Sequence, residues 1–302
     1  MFITNTGAVS EHVDMLVGSE IPIYLIRGAD RWAVVDMGLS FTAPEMIRQV
    51  ENAGGRQKGL YVLITHSHFD HVGGLAPFLR YFPDALTVAG TGTVEVFRKP
   101  AAMGFIRGTN ENFVKILKLE KKYPGFDFSI PETIKVDITV KEGDVIELGG
   151  GVRLRVFEVP GHSKCSMAFL LEPDRALFSG EAAGFYNGPG DIISEGLSDY
   201  SLYLAGLARM RDLRPKFICM PHNGVLTGGD AETYFDIALR SGEEFRRELA
   251  AMIADQTPEE KIIGEIIAKR YHGLIETQPV DVFTINLRAM IKAVRREMNP
   301  AD

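Results

Sequence analysis

Cysteine is nearly absent from this 302-residue chain: there are two, Cys165 and Cys219, far apart in sequence. That excludes a disulfide framework, and both are expected to be reduced thiols. Also missing is any apolar run approaching the roughly 20 residues that span a bilayer. Residues 1–16 show no basic region followed by an apolar stretch, so no signal peptide is expected. Basic residues are outnumbered, 33 Lys and Arg against 40 Asp and Glu, which leaves a net charge of −7. A surface of that balance argues against a nucleic-acid partner, because phosphate contacts need clustered Lys and Arg. There is no internal repeat and no low-complexity tract. The expectation is a cytoplasmic protein with a small-molecule substrate, no nucleic-acid partner and no membrane attachment.

The composition itself is ordinary for a globular protein, with 45% hydrophobic and 24% charged residues. The length suits one large α/β domain or two small ones. Residues 21–27 (IPIYLIR) and 32–36 (WAVVD) read as strands joined by a Gly-Ala-Asp turn. Residues 42–53 read as a helix ended by Gly54 and Gly55. Residues 60–64 (LYVLI) form a continuous apolar run of strand length, as expected of a buried central strand. A helix is predicted over 75–81 and a strand over 86–89. Residues 91–125 read as a helical insertion placed to cover a site. Strands return at 134–140, 145–148, 152–159, 166–171 and 175–179. A helix is predicted at 199–213 and a buried strand at 217–220. From about residue 230 the β pattern gives way to helices over 231–254, 258–271 and 280–298.

The chemistry concentrates in Thr65-His66-Ser67-His68-Phe69-Asp70-His71, directly after the apolar strand. Three of the seven histidines of the chain fall in this stretch. A strand end followed by a tight turn can splay such side chains around one point. Imidazole and carboxylate there suit zinc, and also iron or manganese. Gly73-Gly74 follows and permits close backbone approach. Two more histidines sit after predicted strands beside Pro and Gly: His162 in Pro160-Gly161-His162-Ser163 and His222 in Pro221-His222-Asn223-Gly224. Each alone would read as a loop histidine; beside the THSHFDH stretch they read as further ligands. Glu181, at the end of the strand over 175–179, is the carboxylate that would complete the set. His12 and His272 have no such context and read as structural or surface residues. Neither cysteine has the setting of a nucleophile.

THSHFDH resembles the HxHxDH signature of the metallo-β-lactamase superfamily, and PGHS, SGEA and PHNG are similar to its later motifs in the family's order. The resemblance covers about residues 10–230. It implies an αβ/βα four-layer sandwich, two mixed β-sheets face to face with helices outside, over residues 1–230. The helical insertion would lie at about 91–125, and 231–302 would form a C-terminal helical extension. It further implies two divalent metal ions per chain, zinc first and iron or manganese as alternatives. His66, His68 and His162 would hold one, and Asp70, His71 and His222 the other. Glu181 stands where the family usually has a bridging aspartate, one methylene shorter, so the bridge itself is in question.

A metal-activated hydroxide would attack a substrate carbonyl, with Asp70 as the catalytic residue that orients it and carries a proton to the leaving group. The insertion and the C-terminal helices are similar to glyoxalase-II-like thioesterases and to quinolone-signal-response thioesterase-like proteins. A thioester of acyl-CoA or glutathione type is therefore the first expectation for the substrate. The alternatives are a lactonase or other small-ester hydrolase, or a regulatory binding protein that retains the metal site. The helical regions would also serve a homodimer. Phe245, Ile262, Ile263, Ile266, Ile267, Phe283 and Ile285 on the C-terminal helices are expected chiefly to pack those helices onto the body, and otherwise to line a substrate tunnel.

Overall fold

The computed structural model describes residues 1–299. Two seven-stranded sheets stack face to face with helices on both outer faces, the four-layer αβ/βα sandwich expected from the sequence. The first sheet follows chain order: Gly7–Ala8, Val13–Leu16, Ile23–Arg27, Arg31–Val35, Gly59–Ile64, Leu86–Gly90 and Ile138–Val140. Its last three pairings are parallel. The second runs Phe2–Ile3, Val225–Thr227, Phe217–Cys219, Ala176–Phe178, Met167–Glu172, Val152–Glu158 and Val145–Gly149. It is antiparallel except where Ala176–Phe178 lies beside Phe217–Cys219.

Alternation along the strands sorts side chains between layers. Ile23, Leu25, Leu60, Val62 and Ile64 point outward onto Met46, Val50, Leu75 and Phe78 of the flanking helices. Tyr24, Ile26 and Leu63 point inward against Leu154, Val156, Phe169 and Phe178 of the other sheet. The helix Ala43–Asn52 buries Ala43, Met46, Ile47 and Val50, a spacing that keeps one face on the sheet, and it has a proline in its first turn. Gly54 (φ 97°) ends it in a left-handed conformation.

The stretch expected as a strand over 134–140 pairs only at Ile138–Val140. Ile134 instead drops into the core under the first sheet's helices. Residues 91–125 are helical, as Thr91–Phe97, Pro100–Ile116 and Leu119–Lys122. The hairpin of Phe185–Gly188 with Asp191–Ile193 has no counterpart among the expected elements; its short strands are broken by Asn and Gly, which hides the alternation.

The helices Gly229–Ala254, Glu259–Arg270 and Val280–Met298 share one core with the second sheet. Phe245, Leu249, Ile262, Ile263, Ile266, Phe283 and Leu287 pack in the same cluster as Tyr203, Leu207 and Ile218. Ile267 joins its edge, whereas Ile285 is 65% exposed. These side chains hold the helices to the body. Among the described residues no helix is long and apolar enough to cross a membrane.

Candidate metal centre

Strand direction decides what meets at one edge. Arg31–Val35 and Gly59–Ile64 are parallel, so the residues after them, Asp36 and Thr65–His71, emerge side by side. In the second sheet Val152–Glu158 and Ala176–Phe178 are each antiparallel to Met167–Glu172, and Ala176–Phe178 is parallel to Phe217–Cys219. The loops carrying His162, Glu181 and His222 therefore leave the same edge. All seven residues expected at the site are brought together. Two groups form, His66, His68, His162 with Glu181, and Asp70, His71, His222 with Glu181, with ligand atoms within 4.8 Å of one another.

Local backbone makes the convergence possible. His68 precedes the short helix Phe69–Val72, which carries Asp70 and His71. A Cβ on Gly73 would lie 2.9 Å from the Ser40 nitrogen, and one on Gly74 only 2.3 Å from the Met37 carbonyl, so the loop after Asp36 presses directly on this helix. Gly161 (φ 138°) does the same for His162, because a Cβ there would lie 2.2 Å from the Tyr203 nitrogen. That seats the N-terminus of the helix Tyr200–Asp212, whose Asp199 side chain accepts the Leu202 N–H at 2.9 Å.

Glu181 lies at the centre. Its Oε2 is 2.9 Å from His162 Nε2, 3.1 Å from His66 Nε2, 3.4 Å from His71 Nε2 and 3.8 Å from His68 Nδ1. Its Oε1 is 3.2 Å from His222 Nε2. Asp70 Oδ2 approaches His222 Nε2 at 3.6 Å and His71 Nε2 at 3.8 Å. His66, His71 and His162 are buried, while the His68 side chain is 38% exposed and marks the mouth.

The outer partners, which the sequence alone did not reveal, fix which ring nitrogen faces inward. His71 Nδ1–H donates to Asp36 Oδ2 at 2.8 Å. The Thr65 hydroxyl donates to the same oxygen at 2.8 Å, and the Thr65 N–H to Asp36 Oδ1 at 2.8 Å. With its own proton committed, Thr65 Oγ1 accepts from His66 Nδ1–H at 3.1 Å. His162 Nδ1–H donates to the Glu195 carbonyl at 3.1 Å and His222 Nδ1–H to the Glu20 carbonyl at 3.2 Å. Four histidines thus present Nε2 to the centre, and His68 presents Nδ1. A signal for Asp36 existed: it is the acid that ends the apolar run WAVVD, beside the strand that leads to His66.

The charges follow from this packing. Burial, with the neighbouring His71 and His68 imidazoles, holds His66 well below the ordinary histidine value, so it is neutral. Burial would raise the Glu181 carboxyl, but His162, His222 and His66 outweigh it and keep it well below its usual range. Asp70 meets the same opposition from burial and from Glu181, yet His71 and His222 bring it to about 2. His71 and His222 move the other way: burial would lower both, but Asp36 and Asp70 raise the first, and Asp70 and Glu181 raise the second to about 10. Behind them, burial and Glu181 push the Glu195 carboxyl well up.

The donor set fits divalent metal. His66 Nε2, His71 Nε2 and Glu181 Oε2 are buried with no hydrogen-bond partner. Polar atoms left in that state cost stability unless something cationic joins them. The imidazoles and carboxylates are the hard-to-borderline donors that zinc, iron and manganese accept. The two groups share Glu181, with Oε2 facing His162 at 2.9 Å and His71 at 3.4 Å and Oε1 facing His222 at 3.2 Å.

Of the remaining histidines, His12 Nδ1 lies 2.6 Å from Asp174 Oδ1, and the His272 carbonyl accepts from Asn187 Nδ2 at 2.9 Å. Both are far from the centre in role and stitch the fold together.

A sandwich of this topology, with imidazoles and carboxylates gathered where its strands end, defines a metallohydrolase-type protein. The chain belongs to the metallo-β-lactamase superfamily, whose family model matches residues 18–222. It is similar to the metallo-beta-lactamase fold-containing protein ST1585 of Sulfurisphaera tokodaii, 27% identical over 68% of this chain and 73% of that protein. It is 32% identical to the chicken (Gallus gallus) acyl-coenzyme A thioesterase MBLAC2 over 54% of this chain and 58% of the relative. With the hydroxyacylglutathione hydrolase of Francisella tularensis subsp. holarctica it shares 30% identity over 47% of this chain and 40% of that enzyme. Each of these two enzymes is therefore matched over less than two thirds of its length. Among solved structures, a metallo-beta-lactamase family protein of Thermus thermophilus superposes with a TM-score of 0.66 at 18% identity, covering 96% of this chain and 95% of that one, which bears on the fold.

Proposed function

We propose that the protein hydrolyses a thioester of acyl-CoA or glutathione type. The observation that carries this reading is the convergence of five imidazoles and the Asp70 carboxylate around Glu181 at the sandwich edge, with His68 and Asp70 toward the mouth. The similarity to an acyl-coenzyme A thioesterase and to a hydroxyacylglutathione hydrolase supports it.

His66, His68 and His162 would hold one divalent metal ion, Asp70, His71 and His222 a second, and Glu181 would contribute its carboxylate to the set. Metal ions so held supply Lewis acidity, which acidifies water and polarises a carbonyl. The protein's part is to orient and to move a proton. Asp36 and Thr65 lock His71 and His66 with their unprotonated Nε2 atoms inward. Asp70 stays ionised and accepts a hydrogen bond from the attacking water, holding it against the carbonyl carbon. Its carboxylate takes the proton and returns it to the departing sulfur. A thiol leaving group, with an ordinary pKa near ~8.5, needs little help to leave.

The test is turnover of a panel of acyl-CoA and acylglutathione thioesters beside lactones and simple esters. Hydrolysis of thioesters, abolished by a chelator, restored by zinc and lost in Asp70→Ala, is the expected result. Faster turnover of lactones would replace thioester with lactone. A metal-loaded protein that hydrolyses none of the panel would overturn the proposal.

A further inference from the structure

Beside the mouth lies an aromatic surface that the metal set does not use and that extends outward from the edge of the core, where Phe69 packs. Phe69 stands between His68 and Asp70 in the chain and is only half-buried. Its ring stacks on Phe113 at 6.3 Å with 25° between the planes, and meets Phe105 edge-on at 6.2 Å. Phe113 in turn lies 6.4 Å from Phe41. Four rings from three elements, Ser40–Thr42, Phe69–Val72 and Pro100–Ile116, therefore form one shelf.

The helix Pro100–Ile116 shows why the shelf is open. Met103, Ile106 and Asn110 are its buried residues. Phe105, Phe113 and Ile116 fall on the adjoining face, and Phe105 is 66% and Ile116 72% exposed. Large apolar side chains gathered on one exposed face mark a contact surface. Burying Phe105 against the body would have required only a different position on the same helix.

We propose that this shelf is the subsite for the acyl chain of the substrate, and that the chain is an unbranched aliphatic one of medium length; the assignment rests on the thioesterase reading. Its position argues for this occupant. The ring of Phe69 is carried by the same short helix as Asp70 and His71, so a carbonyl placed at the metal centre has its apolar substituent leaving across Phe69 toward Phe105. A flexible aliphatic chain follows tilted and stacked rings alike, and covers them without needing a polar partner. A short hydroxyacyl group would leave Phe105 and Ile116 in water and bring a hydroxyl to a surface with no donor or acceptor among its rings.

The experiment compares kcat/KM for acetyl-, hexanoyl- and decanoyl-CoA and for lactoylglutathione, in the wild type, Phe105→Ala, Phe105→Leu and the remote control Ile285→Ala. One-sided burial of each methylene gives the wild type a rise of about twofold per carbon. The ratio of decanoyl to acetyl turnover is expected to fall about tenfold in Phe105→Ala, to recover partly in Phe105→Leu and to stay at the wild-type value in Ile285→Ala. A chain-length dependence that is flat, or that Phe105→Ala leaves unchanged, overturns the subsite. So does a change of oligomeric state in Phe105→Ala without a change in the ratio, which would give the shelf to a second copy. If no thioester is hydrolysed at all, the catalytic reading fails by itself. Calorimetric binding of S-decyl-coenzyme A, a thioether, then decides the shelf: a Kd raised about tenfold by Phe105→Ala upholds it, and an equal Kd removes it.

Discussion

Replacing Asp36 by Asn tests the argument that the metal ligands are held by their outer partners. Asp36 accepts three hydrogen bonds, from the Thr65 N–H, the Thr65 hydroxyl and His71 Nδ1–H, each at 2.8 Å. An amide of the same size has one accepting oxygen. If that oxygen stays on the Thr65 N–H, the NH2 faces His71 Nδ1 and forces the ring proton to Nε2. That is the atom turned toward Glu181 and Asp70, and a protonated nitrogen cannot bind a metal ion. If the amide flips, its NH2 opposes the Thr65 N–H, and two buried donors go unsatisfied at about 1–3 kcal/mol. The first arrangement weakens metal binding through the His71 tautomer, and the second costs folding stability instead. Loss of such a partner costs about 10–100-fold in affinity, or about 1.4–2.7 kcal/mol. The assay is zinc competition against a chromophoric chelator, with thermal unfolding of the metal-free protein as the folding control. An Asp36→Asn variant that folds like the wild type and binds zinc within about twofold would refute the claim that Asp36 sets the His71 tautomer.

Other outcomes follow from the same geometry. Glu181→Ala removes the carboxylate common to both groups, so metal content measured by elemental analysis should fall below that of the wild type; equal content would show that Glu181 is not a ligand. Phe245→Ala should destabilise the whole protein by about 3–5 kcal/mol in one cooperative urea transition, because Phe245 packs in the cluster of Tyr203 and Ile218; early, separate unfolding of the C-terminal helices would show that they are independent. Asp174 lies below its usual value of 3.8, since the Ser10 hydroxyl and the His12 N–H and imidazole outweigh burial. A carboxyl depressed by folding contributes stability above its unfolded value and loses it as pH falls through the folded one. The stability advantage of the wild type over Asp174→Asn should accordingly hold at about pH 5 and shrink toward about pH 2; an advantage that grows on acidification would reverse the assignment. Gly161→Ala places a Cβ 2.2 Å from the Tyr203 nitrogen, so it should lower both the unfolding midpoint and metal affinity through His162, and an unperturbed variant would show that the loop has slack.

The amino-acid sequence by itself determined which side chains gather at the site and the outer course of the fold. Imidazoles crowd THSHFDH, and the apolar run before it has the length and composition of a buried strand, so both are legible without neighbours. The helices Leu75–Tyr81 and Val280–Met298 were legible to the residue, because helical periodicity is a local property that about two turns of the first and about five of the second display. The short hairpin near Asn187 and the truncation of the strand at Ile138 were not, because two or three residues carry too little pattern to be read. Only the tertiary structure could decide what lies around the ligands. Asp36 and Thr65 lie far apart in the chain, and their hydrogen bonds exist because Val35 pairs in register with Leu63. The carbonyls of Glu20 and Glu195 that orient His222 and His162 are main-chain atoms, which any residue type supplies. The aromatic shelf is likewise four ordinary phenylalanines in the chain, and becomes a surface only where three elements meet. Side-chain chemistry is written residue by residue, whereas orientation, tautomer and exposure belong to contacts between segments, which exist only once strands and helices are packed.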